Sequence, residues 1–102
     1  MTRQELFDLG WVDDGYWNNR DIFSIGDYSI FEHNGDYGIW LDTNDSFELV
    51  YCNMTDDEIK DYTNMVKTLK NITEAPDDYT VRELQTVSSN MAKFINKMKE
   101  RS

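Results

Sequence analysis

At 102 residues, with 39% hydrophobic and 14% aromatic side chains, the chain carries enough apolar surface for one modest core. This excludes a disordered acidic tail and reads as a single domain over residues 1–102. Twenty acids against ten bases give a net charge of −10, a field that repels nucleic acid and anionic membranes and attracts basic clefts. No apolar run approaches the ~20 residues that span a bilayer. Met1 to Gly10 lacks the apolar stretch of a signal peptide, and the single Cys52 permits no internal disulfide, so the expected setting is cytoplasmic.

In chain order, Thr2-Arg3-Gln4-Glu5 has the form of a capping box, and Gly10 can end the short helix that follows. Within 11–19, Asp13-Asp14-Gly15 reads as a turn flanked by aromatic residues. Ile22 to Ile25 is either an extra edge strand or a lead-in segment. Tyr28 to His33 reads as a strand, and Asn34-Gly35 is the pair favoured in a two-residue hairpin with positive φ at both positions. The return over Asp36 to Asp42 then sets Ile30 opposite Ile39 and Tyr28 opposite Leu41, and both pairs lie with Tyr37 on one face. A second turn at Thr43-Asn44-Asp45 leads to Phe47 through Cys52. Pairing Ile39 with Leu49 there puts Phe47, Leu49 and Tyr51 on the apolar face. The opposite face holds Ser29, Phe31, His33, Trp40, Glu48 and Val50. Thr55-Asp56-Asp57-Glu58 and Thr80-Val81-Arg82-Glu83 are two further capping boxes. They open helices whose apolar stripes are Ile59, Tyr62, Val66 and Leu69, and Leu84, Val87, Met91, Phe94, Ile95 and Met98. Pro76 separates the two. The expected fold is therefore α+β: a short N-terminal helix, a three-stranded antiparallel β-meander and two C-terminal helices packed on one sheet face.

The residues that usually carry catalysis are sparse. His33 flanks a turn and reads as a surface residue, and Cys52 reads as a small buried apolar residue. One His and one Cys do not make a structural zinc site. Asp42-Thr43-Asn44-Asp45-Ser46 resembles the start of a calcium loop, but Phe47 stands where the sharp-turn Gly belongs and Asn53 where the bidentate Glu belongs. Neither a phosphate-binding glycine loop nor a carboxylate pair in an apolar setting is present in the sequence. The chain is read as a non-enzyme without cofactor or metal.

The acids are unevenly placed: residues 1–78 carry net −13 and residues 79–102 net +3. Asp27, Glu32, Asp36, Asp42, Asp45 and Glu48 lie on or beside the expected hairpins, and Asp56 and Asp57 cluster at the next helix start. Tyr37 and Trp40 are positioned to add packing within that surface. Duplex DNA presents one negative charge per ~1.7 Å of axis, so carboxylates at comparable density suit a site built for that backbone. The expected partner is a basic nucleic-acid-binding protein, with no direct nucleic-acid or membrane contact. Monomer and dimer both remain open.

The layout α-β-β-β-α-α, the small size and the acidity resemble small phage-encoded anti-CRISPR proteins that inhibit Cas9 nucleases. The resemblance covers most of the chain as layout and composition, without a diagnostic motif. It implies inhibition by an acidic surface that fills the site reading DNA, in a bacterial host. Two alternatives are an immunity protein that neutralises a basic nuclease toxin and a small accessory domain acidic only for solubility.

Overall fold

The computed structural model describes residues 1–17, 19–43, 46–51 and 54–101, with side chains described over 1–17, 19–39 and 54–100. Cys52, Asn44, Asp45 and Asn53 lie outside the described residues, so the readings made on them are not addressed by the structure.

Helix α1 spans Arg3–Leu9. The Thr2 hydroxyl accepts from the Glu5 amide at 3.2 Å, and the Glu5 carboxylate accepts from the Thr2 amide at 3.2 Å, completing the capping box. Gly10 closes the helix at φ 107°, a left-handed conformation that a Cβ disfavours. The next residue, Trp11, is buried. Its indole N–H donates to Thr63 Oγ1 at 2.8 Å, and its ring stacks on Tyr62 at 6.0 Å.

The expected turn at Asp13-Asp14-Gly15 is instead part of a strand. β1 runs Val12–Trp17 and pairs antiparallel with β2, Arg20–Ile25. The turn chemistry is real but local: the Gly15 amide donates to Asp13 Oδ1 at 2.9 Å, and Gly15 sits at φ 99°. These features absorb a register shift between Asp13 and Tyr16, a bulge on both sides of which the strand pairs with β2. β3 is Tyr28–His33, β4 is Asp36–Thr43 and β5 is Ser46–Tyr51. The sheet has five strands in the order β1-β2-β3-β4-β5, all neighbours antiparallel, so the three-stranded expectation falls short by two strands at one edge.

Asn34 and Gly35 both have positive φ, 52° and 85°, as a two-residue hairpin of this kind requires. His33 pairs with Asp36 and Phe31 with Gly38, the same offset that sets Ile30 opposite Ile39. The β4–β5 register is one residue away from expectation. Trp40 pairs with Leu49 and Ile39 with Val50, because Thr43 pairs with Ser46 and only two residues are left to the turn. A one-residue slip exchanges faces. Positions 47, 49 and 51 therefore share the face of Phe31, and positions 48 and 50 share the face of Ile39.

Helices α2, Asp56–Glu74, and α3, Val81–Arg101, follow, with a 3-10 turn at Pro76–Asp78 between them. Both expected capping boxes form, Thr55 with Glu58 and Thr80 with Glu83. One core cluster gathers Leu6 from α1, Phe23, Ile25, Ile30 and Ile39 from one sheet face, Ile59, Tyr62 and Val66 from α2, and Phe94 and Met98 from α3. Tyr62 stacks on Phe94 at 5.4 Å, so Trp11, Tyr62 and Phe94 form a continuous stack across the helix layer. Only the last third of the α3 stripe is fully buried; Leu84, Val87, Met91 and Ile95 are half-buried. The molecule is thus a two-layer α+β domain in which α1 joins α2 and α3 on a single sheet face.

Candidate partner-binding surface

Charge divides between the layers. Residues 12–51, the strands and their turns, contain nine acids and one base, Arg20, for a net charge of −8. The other nine bases lie in the helical segments. The sheet layer is the negative pole of the molecule, and the last helix is its basic edge.

Within that layer the acidic residues singled out by sequence separate into two groups. Consecutive antiparallel strands put the 26–27 turn, the end of β4 and the start of β5 at one end of the sheet, and the 34–35 turn, the end of β1 and the start of β2 at the other. Asp27 is exposed at the first end, and position 42 belongs there by register; Asp45 lies outside the described residues. Glu32 and Asp36 lie at the second end, and Asp56 at the start of α2 comes near it through Met1, which meets both Asp56 and Tyr37. Position 48, on β5, pairs with Leu41 and so sits toward the first end. The side chains of Trp40, Asp42 and Glu48 are outside the described ones; their backbones occupy β4 and β5.

At the second end the acids have defined partners. Glu32 accepts from the Gly35 amide at 2.8 Å and so braces its own hairpin. Asp56 pairs with the Met1 amino group at 2.9 Å, and Asp57 is exposed. Tyr37 is corrected outright as a contact residue. It is 7% exposed, belongs to the core, and donates its hydroxyl to the Met1 carbonyl at 2.6 Å. Its phenol is held above the ordinary tyrosine range by burial first, then by the negative charges of Glu32, Asp56 and Glu5. Strand parity explains the correction: Tyr37 pairs with Glu32 on the helix-covered face, whereas Asp36 and Phe31 point to the other.

His33 is exposed, as expected. Its Nδ1–H donates to the Asn19 carbonyl at 2.7 Å while Nε2 accepts from the Asn34 side-chain amide at 3.2 Å. A neutral ring with its proton on Nδ1 fills both roles and ties two neighbouring turns together. Among the described residues no three His, Cys, Asp or Glu side chains converge as a metal-binding group, and no helix is long and apolar enough to cross a membrane.

The sequence reading missed β1. Val12, Tyr16 and Trp17 are 60%, 66% and 52% exposed and make up three of the four large apolar residues that stand out in solvent among the described residues. Asp14 accepts from the Ser24 hydroxyl at 2.6 Å, and Asp13 pairs with Arg3. The signal for this strand was the alternation of Trp11, Val12, Tyr16 and Trp17 around a glycine, which fits a bulge as well as a turn.

No family model matches this chain, and no curated protein or solved structure is significantly similar to it.

Proposed function

We propose that this domain is a non-enzymatic, acidic inhibitor that occupies the basic nucleic-acid groove of a nuclease of the Cas9 kind, in the cytoplasm of a bacterial host, and blocks DNA binding. The observation that carries the reading is the concentration of charge in one layer. A six-residue strand such as β3 spans about 17 Å. Duplex DNA of that length carries about ten backbone charges. The sheet layer's net −8 is of the same order and is held on a rigid frame. A basic groove shaped for phosphates would find a comparable charge density without the flexibility of a disordered acidic tail.

The test is displacement of a fluorescent target duplex from guide-loaded Cas9, followed by anisotropy. The protein is expected to displace the duplex at ~50 mM salt and to lose at least about tenfold in apparent affinity by ~200 mM, as counter-ion release requires. Charge reversal at Asp36, Asp42, Asp45 and Glu48 together should abolish displacement. Undiminished inhibition by that quadruple variant overturns the sheet assignment, and failure of the unaltered protein to displace the duplex overturns the reading itself.

A further inference from the structure

Helices α2 and α3 cover the sheet with their inner sides and turn an outer side away from it. On α2 the inner side is fixed by its partners. Thr63 receives the Trp11 indole, the Lys67 side chain lies against Gly10, and that of Lys70 against Gly26. Asn64 and Thr68, each about 100° further round the helix than Thr63 and Lys67, therefore stand on the outer side. Two hollows there, of about 340 and about 140 Å³, share Thr68 and Val87 and so form one open groove along the α2–α3 seam. Its inner stretch is lined by Asn64, Met65, Thr68, Val87 and Asn90, with no charged side chain among the described residues.

Neutrality stands out in a chain of net charge −10. Residues 84–92 are the longest stretch of the sequence without a charged residue, and Gln85, Thr86, Ser88, Ser89, Asn90 and Ala92 within it are exposed. Charge resumes on either side, negative at Glu83 and positive at Lys97, both exposed on α3. Glu83, Asn90 and Lys97 are spaced by seven residues, which drifts only ~20° around a helix at each step. They share one line along α3, with opposite charges about 10 Å to either side of Asn90.

We infer that the outer α2–α3 groove is the contact surface for a second copy of this chain, the two α3 helices running antiparallel about Asn90 with Glu83 of each copy facing Lys97 of the other. The inference goes beyond the function proposed above and does not depend on it.

The charge pattern selects a second copy as the occupant. A two-fold contact must be self-complementary. A line that reads negative, neutral, positive matches itself when reversed, and two ion pairs form at once. Lys97 already reaches Glu58 at 3.5 Å but keeps 63% of its side chain exposed, and an ammonium group has three donors to share. Antiparallel packing also sets the two helix dipoles against each other favourably. The acidic sheet layers lie on the far sides of both helix layers, more than about 20 Å apart, well beyond the ~8 Å Debye length at physiological salt. This side of the molecule is thus the one where two copies meet with least repulsion. The half-buried Met65 and Val87 supply apolar contact, and a centre depleted of charge is the compositional mark of an interface core.

Sedimentation equilibrium of the full chain at ~150 mM salt, from about 1 μM to about 1 mM, tests this. The mass is expected to rise from the 12.1 kDa of one chain towards twice that value. Asn90→Glu places two like charges at the two-fold axis and should raise the dissociation constant at least about tenfold. Glu83→Lys and Lys97→Glu should each weaken self-association, whereas an equimolar mixture of the two should restore a dimer, because both ion pairs re-form only between unlike variants. That recovery separates the contact from damage to the fold, which mixing does not repair; circular dichroism checks each variant alone. A mass of one chain across the whole range overturns the inference. A dimer that survives Asn90→Glu overturns the assigned face, and a mixture that stays monomeric while both variants are folded overturns the antiparallel pairing.

Discussion

Trp11→Phe tests how the exposed edge of the sheet is fastened to the helix layer. Trp11 directly precedes β1, is 1% exposed, and is held by one hydrogen bond to Thr63 and one stack on Tyr62. Phenylalanine keeps an aromatic ring but removes the N–H and part of the ring volume. The lost hydrogen bond is worth about 1 kcal/mol, and the space left by the smaller ring about 1–2 kcal/mol more. The sum, roughly 2–3 kcal/mol, is a large share of the ~5–15 kcal/mol of a typical domain without exceeding it. In urea, with a slope of ~1–3 kcal/mol/M, the midpoint should fall by roughly 1–2 M. Thr63→Val leaves the indole N–H buried without its acceptor and should cost about 1–3 kcal/mol. Thr63 Oγ1 also donates to the Ile59 carbonyl at 2.6 Å, so it joins the indole to the α2 backbone. The double variant should then cost about 1 kcal/mol less than the sum of the singles, since the second change removes an interaction already lost. Additivity within ~0.3 kcal/mol would refute the hydrogen bond as a stabilising link.

Tyr37 and Tyr62 both retain their phenol protons beyond the ordinary range, in each case chiefly through burial. Below the unfolded pKa of ~10 this contribution to stability is fully present. Above it the unfolded chain ionises first, so stability should fall by up to ~1.4 kcal/mol per pH unit for each tyrosine. Near-ultraviolet titration should show two phenols ionising above the ordinary tyrosine range, one lost in Tyr37→Phe and one in Tyr62→Phe, and no such component with the fold intact would contradict this. Gly35→Ala places a Cβ at φ 85°, where no other atom lies within 4 Å, so its cost is backbone strain alone, about 1 kcal/mol by urea denaturation. Thr55→Ala removes the α2 cap and should cost about 1 kcal/mol in the same assay. Added sodium chloride should raise the melting temperature, because the sheet layer's net −8 is self-repulsive and salt screens it; a fall or no change would show that the charge is already compensated within the fold.

Local chemistry made much of this fold legible. Each capping box is a pair of side chains three residues apart, so Thr2–Glu5, Thr55–Glu58 and Thr80–Glu83 are written in the sequence and form as read. Asn34-Gly35 is equally local, and its hairpin register follows from it. The features that were not legible depend on choices between near-equal alternatives. A glycine after two aspartates serves either a turn or a bulge, and what decides for the bulge at Gly15 is pairing with β2, a contact made outside the motif. The β4–β5 offset turns on whether two or three residues form the second turn, and both options keep an apolar row on some face. Tyr37 was legible from the Asn34-Gly35 hairpin: parity puts it with Ile39 on the apolar face and its neighbour Asp36 on the other, which overrules its place among the contact residues. Acidity was plain from composition. The excess of acids over bases in one layer, nine against one, became visible only with the strands extending back to Val12.

That imbalance separates a solubilising charge from a binding charge. Carboxylates that serve only solubility lower self-repulsion by spreading over the whole surface and interspersing with bases. Here the bases sit almost wholly in the helical segments, where Lys97 reaches Glu58 at 3.5 Å and Lys70 reaches Glu74 at 3.9 Å, while the layer richest in net negative charge has only Arg20 of its own. Arg3, from α1, does reach across to Asp13 and Asp21, but on the helix-covered side. Such an arrangement lowers the stability of the free protein and becomes favourable when an opposite charge is brought to it. Replacing an exposed sheet acid with a base should therefore move two properties in opposite directions, greater stability of the free domain and weaker hold on a basic partner. A purely solubilising charge has no reason to couple them. The two-layer geometry makes that coupling specific to the sheet: the same exchange at Asp61 enters a segment already mixed with lysines and should affect both properties less.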